Sequence, residues 1–529
     1  MSRMATTMPS LKGSRVLVLG LGASGLAMAQ WCARAGASVT VWDSRLDGAQ
    51  RPPQADALAA SVPQALLLGG ALDAALLDGV ARVLRSPGLA PGDARIAPLL
   101  AAAAARGIPV EGELDLFVQA LAALGAERDY APELLAITGT NGKTTTTAMT
   151  ALLVRRAGRR VAMAGNIGPS MLATLAAALD AQASPGEEDE SLLPQVWVLE
   201  LSSFQLHGVA GFEPSAAALL NITQDHLDWH GSMEAYVADK ARVFGSRGTM
   251  ILNRDDARVI ALEPSVPAPT KGRQPKAAPR SVLRFGLDAP TRPGDYGLVV
   301  ESGMAWLVRA QEADPTWKRR PGEAEPELHL QRLMPADALR VRGRHNAANA
   351  LAALALAGAI GCPLAPMLHG LREYAGEPHR VAHVASVGGV DAYDDSKGTN
   401  VGATVAALEG LGADRAPARI VAILGGDGKG QDFTPLAAPL ARHGRAAALI
   451  GRDAGAIEAA IGGCGLAALE RFDGLEAATR WSFAQARPGD AVLLSPACAS
   501  LDMFRNYEHR AQVFVAEVQA IAAERGEIA

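Results

Sequence analysis

The stretch LLAITGTNGKTTTTAM, Leu134 to Met149, carries chemistry most plainly. An apolar run leads into Gly139, Thr140, Asn141, Gly142, Lys143, Thr144 and Thr145, and a helix-forming segment follows. Glycines at a strand-to-helix turn let backbone N–H groups close around phosphate oxygens, and the positive end of the helix dipole adds to the attraction. In such a loop the lysine neutralises the outer phosphates and the threonine hydroxyl ligates Mg²⁺. The spacing departs from the usual pattern, because Ile137 stands where a leading glycine is expected.

Two further segments put acids, amides and imidazoles after apolar runs. WVLELSSFQL (Trp197–Leu206) delivers Glu200 and Gln205. LLNITQDHLDWHG (Leu219–Gly231) delivers Asp225, His226, Asp228 and His230. Carboxylates and imidazoles at strand ends beside a phosphate loop are candidate Mg²⁺ ligands.

A second glycine cluster opens the chain. RVLVLGLGASGLAMA (Arg15–Ala29) has Gly20-x-Gly22-x-x-Gly25 after an apolar run, and Ser38 to Trp42 then delivers Asp43. That acid stands about 20 residues on, as the dinucleotide fingerprint asks. Taken alone, the stretch fits a nicotinamide-dependent dehydrogenase. A dehydrogenase has no use for a second phosphate loop, so the turn is equally open to another nucleotide.

These segments need elements to hold them. Short apolar runs alternate with helical patterns from Arg15 to about Leu121, including Val80–Leu84 and Ile108–Val110. A new α/β unit starts at Leu134–Ile137 and reaches at least Asn253. A third begins near His379, with strands at Arg419–Leu424, Ala446–Ile450 and Ala491–Leu494. Ser184–Glu190, Glu263–Arg280 and Ala310–Pro326 lack apolar periodicity and read as surface loops. Ala350–Leu368 is uncharged but interrupted by Gly358, Gly361, Pro363 and Pro366, which predicts a buried helix ending near Gly361 rather than a membrane span.

Composition agrees with a soluble multidomain protein. The 529 residues are 49% hydrophobic and 20% charged, too long for one ordinary domain. A net charge of -5 gives no reason to expect nucleic acid. Cys32, Cys362, Cys464 and Cys498 form no CxxC pair, which argues against a zinc knuckle or disulfide framework and fits a reducing cytosol. The N-terminal segment lacks the apolar core of a signal peptide.

GTNGKTT, ELSSFQL, DHLDWH, HNAAN (His345–Asn349), PHR (ending at Arg380), DDSKGTN (Asp394–Asn400), GGDGK (Gly425–Lys429) and SPACASLDMF (Ser495–Phe504) together resemble the Mur ligase family, in order and over nearly the whole chain. The resemblance implies an α/β fold of three domains. These are an N-terminal Rossmann-like unit (1–121), a central P-loop ATPase-type mixed sheet with helices (122–376), and a C-terminal Rossmann-like unit (377–529).

It also implies amide formation between UDP-N-acetylmuramoyl-L-alanine and D-glutamate, driven by ATP, in cytoplasmic peptidoglycan precursor synthesis by a monomer. The family's pattern assigns Ala23, Ser24, Asp43, Ser44, Arg45, Gly88, Asn166 and Gln205 to the UDP-sugar. Gly139 to Thr145, His345, Asn346, Asn349, Arg380 and Asp395 fall to ATP, and Lys397, Thr399, Lys429, Ser500 and Tyr507 to D-glutamate. Two Mg²⁺ sites are implied, with Thr144 and Glu200 at the first and His226 at the second. Lys240 matches the lysine that the family carbamylates, which supplies oxygens where an ammonium would repel the metal. Lys143, Glu200, His226 and Lys240 then carry the chemistry. A non-catalytic nucleotide-binding regulator, or a related ligase adding another amino acid, remains open at this level.

Overall fold

The computed structural model describes residues 11–47, 51–182, 192–265, 280–314, 327–341 and 343–527. Three sheets organise them. In the first, β1 (Arg15–Leu19), β2 (Ser38–Trp42), β3 (Leu66–Leu68), β4 (Val80–Arg85) and β5 (Val110–Glu111) are all parallel, in the order β3-β2-β1-β4-β5. Apolar residues of the inner strands β2, β1 and β4 are buried on both faces, as parallel sheets require, while Leu66 and Val110 on the edge strands are exposed. The helix Ala23–Arg34 packs tightly over the turn after β1: a Cβ on Gly25 would stand 2.0 Å from the Gly20 carbonyl oxygen. Only glycine fits there.

The second sheet holds β6 (Glu133–Thr138), β7 (Val161–Gly165), β8 (Val196–Glu200), β9 (Ala216–Leu219), β10 (Thr249–Asn253), β11 (Val282–Phe285), β12 (Tyr296–Glu301), β13 (Met304–Glu312) and β14 (Leu328–Pro335). Its order is β14-β13-β12-β11-β10-β9-β6-β8-β7, parallel except for the antiparallel β12-β13-β14 edge. Four neighbouring strands, β9, β6, β8 and β7, therefore end side by side, with Glu200 in register with both Ile137 and Gly165. Ligands of open α/β sheets bind at such carboxyl ends.

The helix Lys143–Arg156 covers this sheet beside the alanine-rich helix Arg344–Ala359. The uncharged run expected to be a buried helix is one, ending at Ala359, with Ala350 to Ala357 fully buried. Among the described residues no helix is long and apolar enough to cross a membrane.

The third sheet combines β15 (Ala382–Val387), β16 (Val390–Asp394), β17 (Ile420–Gly425), β18 (Gly444–Ile450), β19 (Ala468–Phe472) and β20 (Ala491–Leu494). Its order is β15-β16-β20-β17-β18-β19, parallel apart from the β15–β16 hairpin.

Two readings of the sequence change. A division at Leu121 would cut the helix Glu113–Arg128, whose Phe117 packs edge-on against Trp197 of the central sheet at 4.9 Å. Ala310 to Glu312 are not loop, because they extend β13 and pair with β14. The rest of that segment from 315 onward, Ser184–Glu190 and most of Glu263–Arg280 lie outside the described residues.

Candidate active site

The phosphate loop follows β6, and its lysine folds over it. Lys143 Nζ donates to the carbonyl oxygens of Gly139 at 2.9 Å and Thr140 at 2.8 Å, and burial lowers its pKa. Thr144 Oγ1 donates to Glu200 Oε2 at 2.7 Å and accepts from Arg380 Nη2 at 2.6 Å. The other Glu200 oxygen accepts from Asn166 Nδ2 at 2.8 Å. One hydroxyl thus joins the loop, the adjacent strand end and an arginine from the third sheet's unit.

Arg380 is aimed by a strained turn. Its neighbours His379 and Val381 take φ of 62° and 50°, a region that costs a β-branched residue dearly. The turn is held by His379 Nδ1 with Asp394 Oδ2 at 2.6 Å and by the Val381 N–H with Asp395 Oδ1 at 3.3 Å. Asp395 also accepts from Ser495 Oγ at 2.6 Å, and burial pushes its pKa up to about 7.

These groups surround a cleft of about 410 Å³, lined by the phosphate loop, Asn166, Glu200, Asp225, His226, Arg380, Lys397, Thr399 and Tyr507. That volume suits small-molecule reactants. Lys397 Nζ lies 3.7 Å from the centre of the Tyr507 ring, a cation–π contact that holds the amine at the wall. Burial and the Arg380 charge lower the pKa of Lys397. A neighbouring pocket includes His345, Asn346, Asn349 and Asp395 and shares Asn141, Gly142, Arg380 and Lys397 with the cleft. His345 is held down to about pKa 4 by burial, so its imidazole is neutral.

Lys240 sits behind the loop. It is 2% exposed and its amine donates to Gly139 O at 2.9 Å, with the Tyr236 ring 4.7 Å away. Burial and the nearby Lys143 charge pull its pKa well below that of an ordinary lysine.

The sequence cluster after β9 does not stay together. Asp225 and His226 face the cleft, with His226 in a left-handed conformation at φ 54°. Asp228 is exposed. The His230 side chain has no solvent exposure: its Nδ1 meets Asp239 Oδ2 at 3.0 Å and its Nε2 meets Ser203 Oγ at 2.9 Å. Asp239 is also held by His207 Nδ1 at 2.9 Å. Spacing alone could not separate these residues, because the short helix Leu227–His230 turns them to opposite sides.

Ala23, Ser24, Asp43, Ser44, Arg45 and Gly88 line one pocket over the first sheet. The Asp43 carboxylate is 4% exposed and already accepts from the Leu21 N–H at 2.7 Å and from Arg45 Nε and Nη2 at 2.8 and 2.7 Å. Its acceptors hold the glycine turn and Arg45, which leaves little for the ribose hydroxyls of a nicotinamide cofactor. Gln205 lies in an adjoining pocket with Arg85, while its Oε1 closes a capping box on Ser202. Asn166 belongs to the cleft. Lys429 and Ser500 are not in its lining. Lys429 adopts φ 51° after Asp427 accepts its N–H, and its charge reaches His226; Ser500 is buried, and its backbone carbonyl accepts from the Phe504 N–H at 2.8 Å. Asn400, which closes the DDSKGTN motif, lines the cleft, and Asn221 braces Asn141 of the phosphate loop; spacing marks neither.

Among the described residues no group of three or more His, Cys, Asp or Glu side chains converges as a metal cage. What the cleft does offer is the Thr144 hydroxyl and the Glu200 carboxylate, 2.7 Å apart. Such hard oxygen donors suit Mg²⁺, which takes one or two protein ligands and fills the rest with phosphate and water.

The chain belongs to the Mur ligase family. The model of a Mur ligase MurD-like N-terminal domain matches residues 14–112, that of the Mur ligase middle domain 137–282, and that of the Mur ligase glutamate ligase domain 379–498. It is a ligase, in a family that uses ATP.

At the level of individual proteins, it is 58% identical over 521 residues to the UDP-N-acetylmuramoylalanine–D-glutamate ligase of Albidiferax ferrireducens, covering 98% of each chain. It is 57% identical over 520 residues to the protein of the same name from Burkholderia mallei, covering 97% of this chain and 98% of that one. Solved structures share the fold. The UDP-N-acetylmuramate-alanine ligase of Thermotoga maritima matches with TM-score 0.54 at 18% identity, covering 96% of this chain and 99% of that one. The MurF ligase of Thermotoga maritima in complex with ADP matches with TM-score 0.52 at 17% identity, covering 85% and 91%.

Proposed function

We propose that this chain joins the terminal carboxylate of UDP-N-acetylmuramoyl-L-alanine to the amine of D-glutamate, at the expense of ATP. The observation that carries the reading is the Thr144 junction, where one hydroxyl touches Glu200 from the central sheet and Arg380 from the third unit. A donor of phosphate on the loop and an amine on the far wall would meet across it.

In this reading the three sheets divide the labour. The pocket over the first sheet takes the UDP end of the sugar nucleotide, with the half-buried Arg45, paired with Asp43, in its wall. The phosphate loop takes ATP, and Lys143 leaves its own loop carbonyls for the outer phosphates. The carboxylate of the L-alanyl group attacks the γ-phosphorus, ADP leaves, and an acyl phosphate forms. Lys143 and Arg380 offset the charge that grows on the transferring group. The D-glutamate amine, held near Lys397, Thr399 and Tyr507, then attacks the acyl carbon, and a tetrahedral intermediate expels phosphate. The protein supplies no nucleophile, so its work is positioning and charge neutralisation.

Thr144 and Glu200 would hold Mg²⁺, and His226, with Lys240 if carbamylated, would hold a second. Bound there, Mg²⁺ would neutralise phosphate charge and polarise the γ-phosphoryl oxygens. The depressed pKa of Lys240 favours the neutral amine, the form that combines with carbon dioxide.

The test is phosphate release in the presence of ATP, Mg²⁺ and UDP-N-acetylmuramoyl-L-alanine. Release should require D-glutamate. Equal rates with L-glutamate or meso-diaminopimelate would overturn the substrate assignment.

A further inference from the structure

The phosphate loop meets the third sheet's unit through asparagine amides, and the mechanism above leaves two of them, Asn221 and Asn400, without a role. Asn400 stands just before the helix Val401–Arg415, and its Oδ1 accepts from the Ala403 N–H at 2.9 Å, capping that helix. The cap decides which end of the amide is which. Nδ2 therefore points outward, and it donates to Asn141 Oδ1 at 3.0 Å. Asn141 is gripped from its other side by Asn221, two residues beyond β9: the Asn141 N–H donates to Asn221 Oδ1 at 2.8 Å, and Asn221 Nδ2 donates to the Asn141 carbonyl at 3.1 Å.

The surfaces approach closely at this point. A Cβ on Gly402 would lie 3.0 Å from Asn141 Nδ2 and 3.0 Å from Thr223 Oγ1. Serine and aspartate cap helices about as well as asparagine does. Neither of them also extends an N–H donor from the cap position to Asn141.

We propose that Asn400 is a positioning residue that latches the third sheet's unit onto the phosphate loop. Its amide bonds Asn141 only when the unit carrying Lys397 and Thr399 is shut against the loop, while Asn221 holds the loop in the matching shape. The proposal rests on the reading of the cleft as the ATP and D-glutamate site. Loss of the latch leaves each binding surface intact and raises the cost of the closed, reacting arrangement.

Asn400→Ser tests it, since serine keeps the cap, adds no charge and is too short to reach Asn141. Melting temperature, kcat and KM for each substrate are measured for the full-length protein. Small-angle scattering with a non-hydrolysable ATP analogue reads compaction without any turnover. The expected result is an unchanged melting temperature, a kcat lower by about five- to tenfold, the rate equivalent of one lost hydrogen bond, and weaker compaction on adding the analogue. Asn141→Ser added to Asn400→Ser should then cost less than it does in the wild-type background.

Wild-type kcat and compaction in Asn400→Ser would overturn the latch. So would a loss of kcat matched by a fall in melting temperature as large as that of Asn400→Ala, which removes the cap. If wild-type protein releases no phosphate with D-glutamate, the substrate reading has failed, and the scattering comparison still decides the latch.

Discussion

The amine of Lys240 donates to the carbonyl oxygen of Gly139 across 2.9 Å, so the helix Met233–Ala241 is tied to the phosphate loop by a buried amine's hydrogen bond. A lysine buried only for packing has no reason to seek that loop. Lys240→Ala should lose most activity, by at least tenfold, where removal of a surface lysine costs little. A short carboxylic acid such as acetate or formate should restore part of it by supplying oxygens in the vacated space. Rates are compared at matched ionic strength, and near-normal activity without the acid would remove Lys240 from the mechanism.

Lys143→Ala should abolish turnover while leaving UDP-sugar binding intact, because the two nucleotide pockets stand over different sheets. Titration calorimetry with the UDP-sugar checks it. An affinity that falls as far as the rate would mean that the sites are not separate.

Asp43 should behave as the keystone of the first glycine turn. Asp43→Ala strips the acceptor from the Leu21 N–H and from Arg45, a loss of about 2 kcal/mol for a buried, charge-assisted pair. Stability and UDP-sugar affinity should fall together. NADH should show no saturable binding to the wild-type protein by fluorescence titration.

Asp395 gives a pH signature. Burial raises its carboxyl to about 7, well above the unfolded value, so between those two points the folded protein holds a proton that the unfolded chain has released. Stability from this group is full below the unfolded pKa and is lost as pH rises through the folded one. Asp395→Asn should therefore melt several degrees above wild type at mildly alkaline pH, and the difference should shrink towards about pH 4. A difference that grows on acidification would reverse the sign and refute the account.

Ser203, His230 and Asp239 line up like a hydrolase triad, with Ser203 2% exposed and the His230 side chain sealed. No substrate can reach that serine. A fluorophosphonate probe should leave Ser203 unlabelled by mass spectrometry, and Asp239→Ala should appear as lost stability, about 2–3 kcal/mol for a buried charged network. Labelling at Ser203 would expose an activity outside this mechanism.

What the amino-acid sequence determined by itself was whatever short-range chemistry dictates. The two glycine turns, the strand before each and the helix after each follow from glycine's freedom and from apolar periodicity, and they appear where the pattern put them. The buried Ala350 run was legible for the same reason. The tertiary structure alone decided which polar groups share a space. Asn141 meets Asn221 and Asn400 across 80 and 259 residues of chain, because the sheet order sets β9 beside β6 and the third unit closes over both. Asp225, His226, Asp228 and His230 look alike in the sequence, yet one turn of helix sends two to the cleft, one to solvent and one to Asp239. Asp43 reads as a ribose acceptor until Leu21 and Arg45 are seen to occupy it. Spacing along a chain encodes local geometry, but the direction in which a side chain points and the partner it finds depend on packing between elements that the sequence holds far apart.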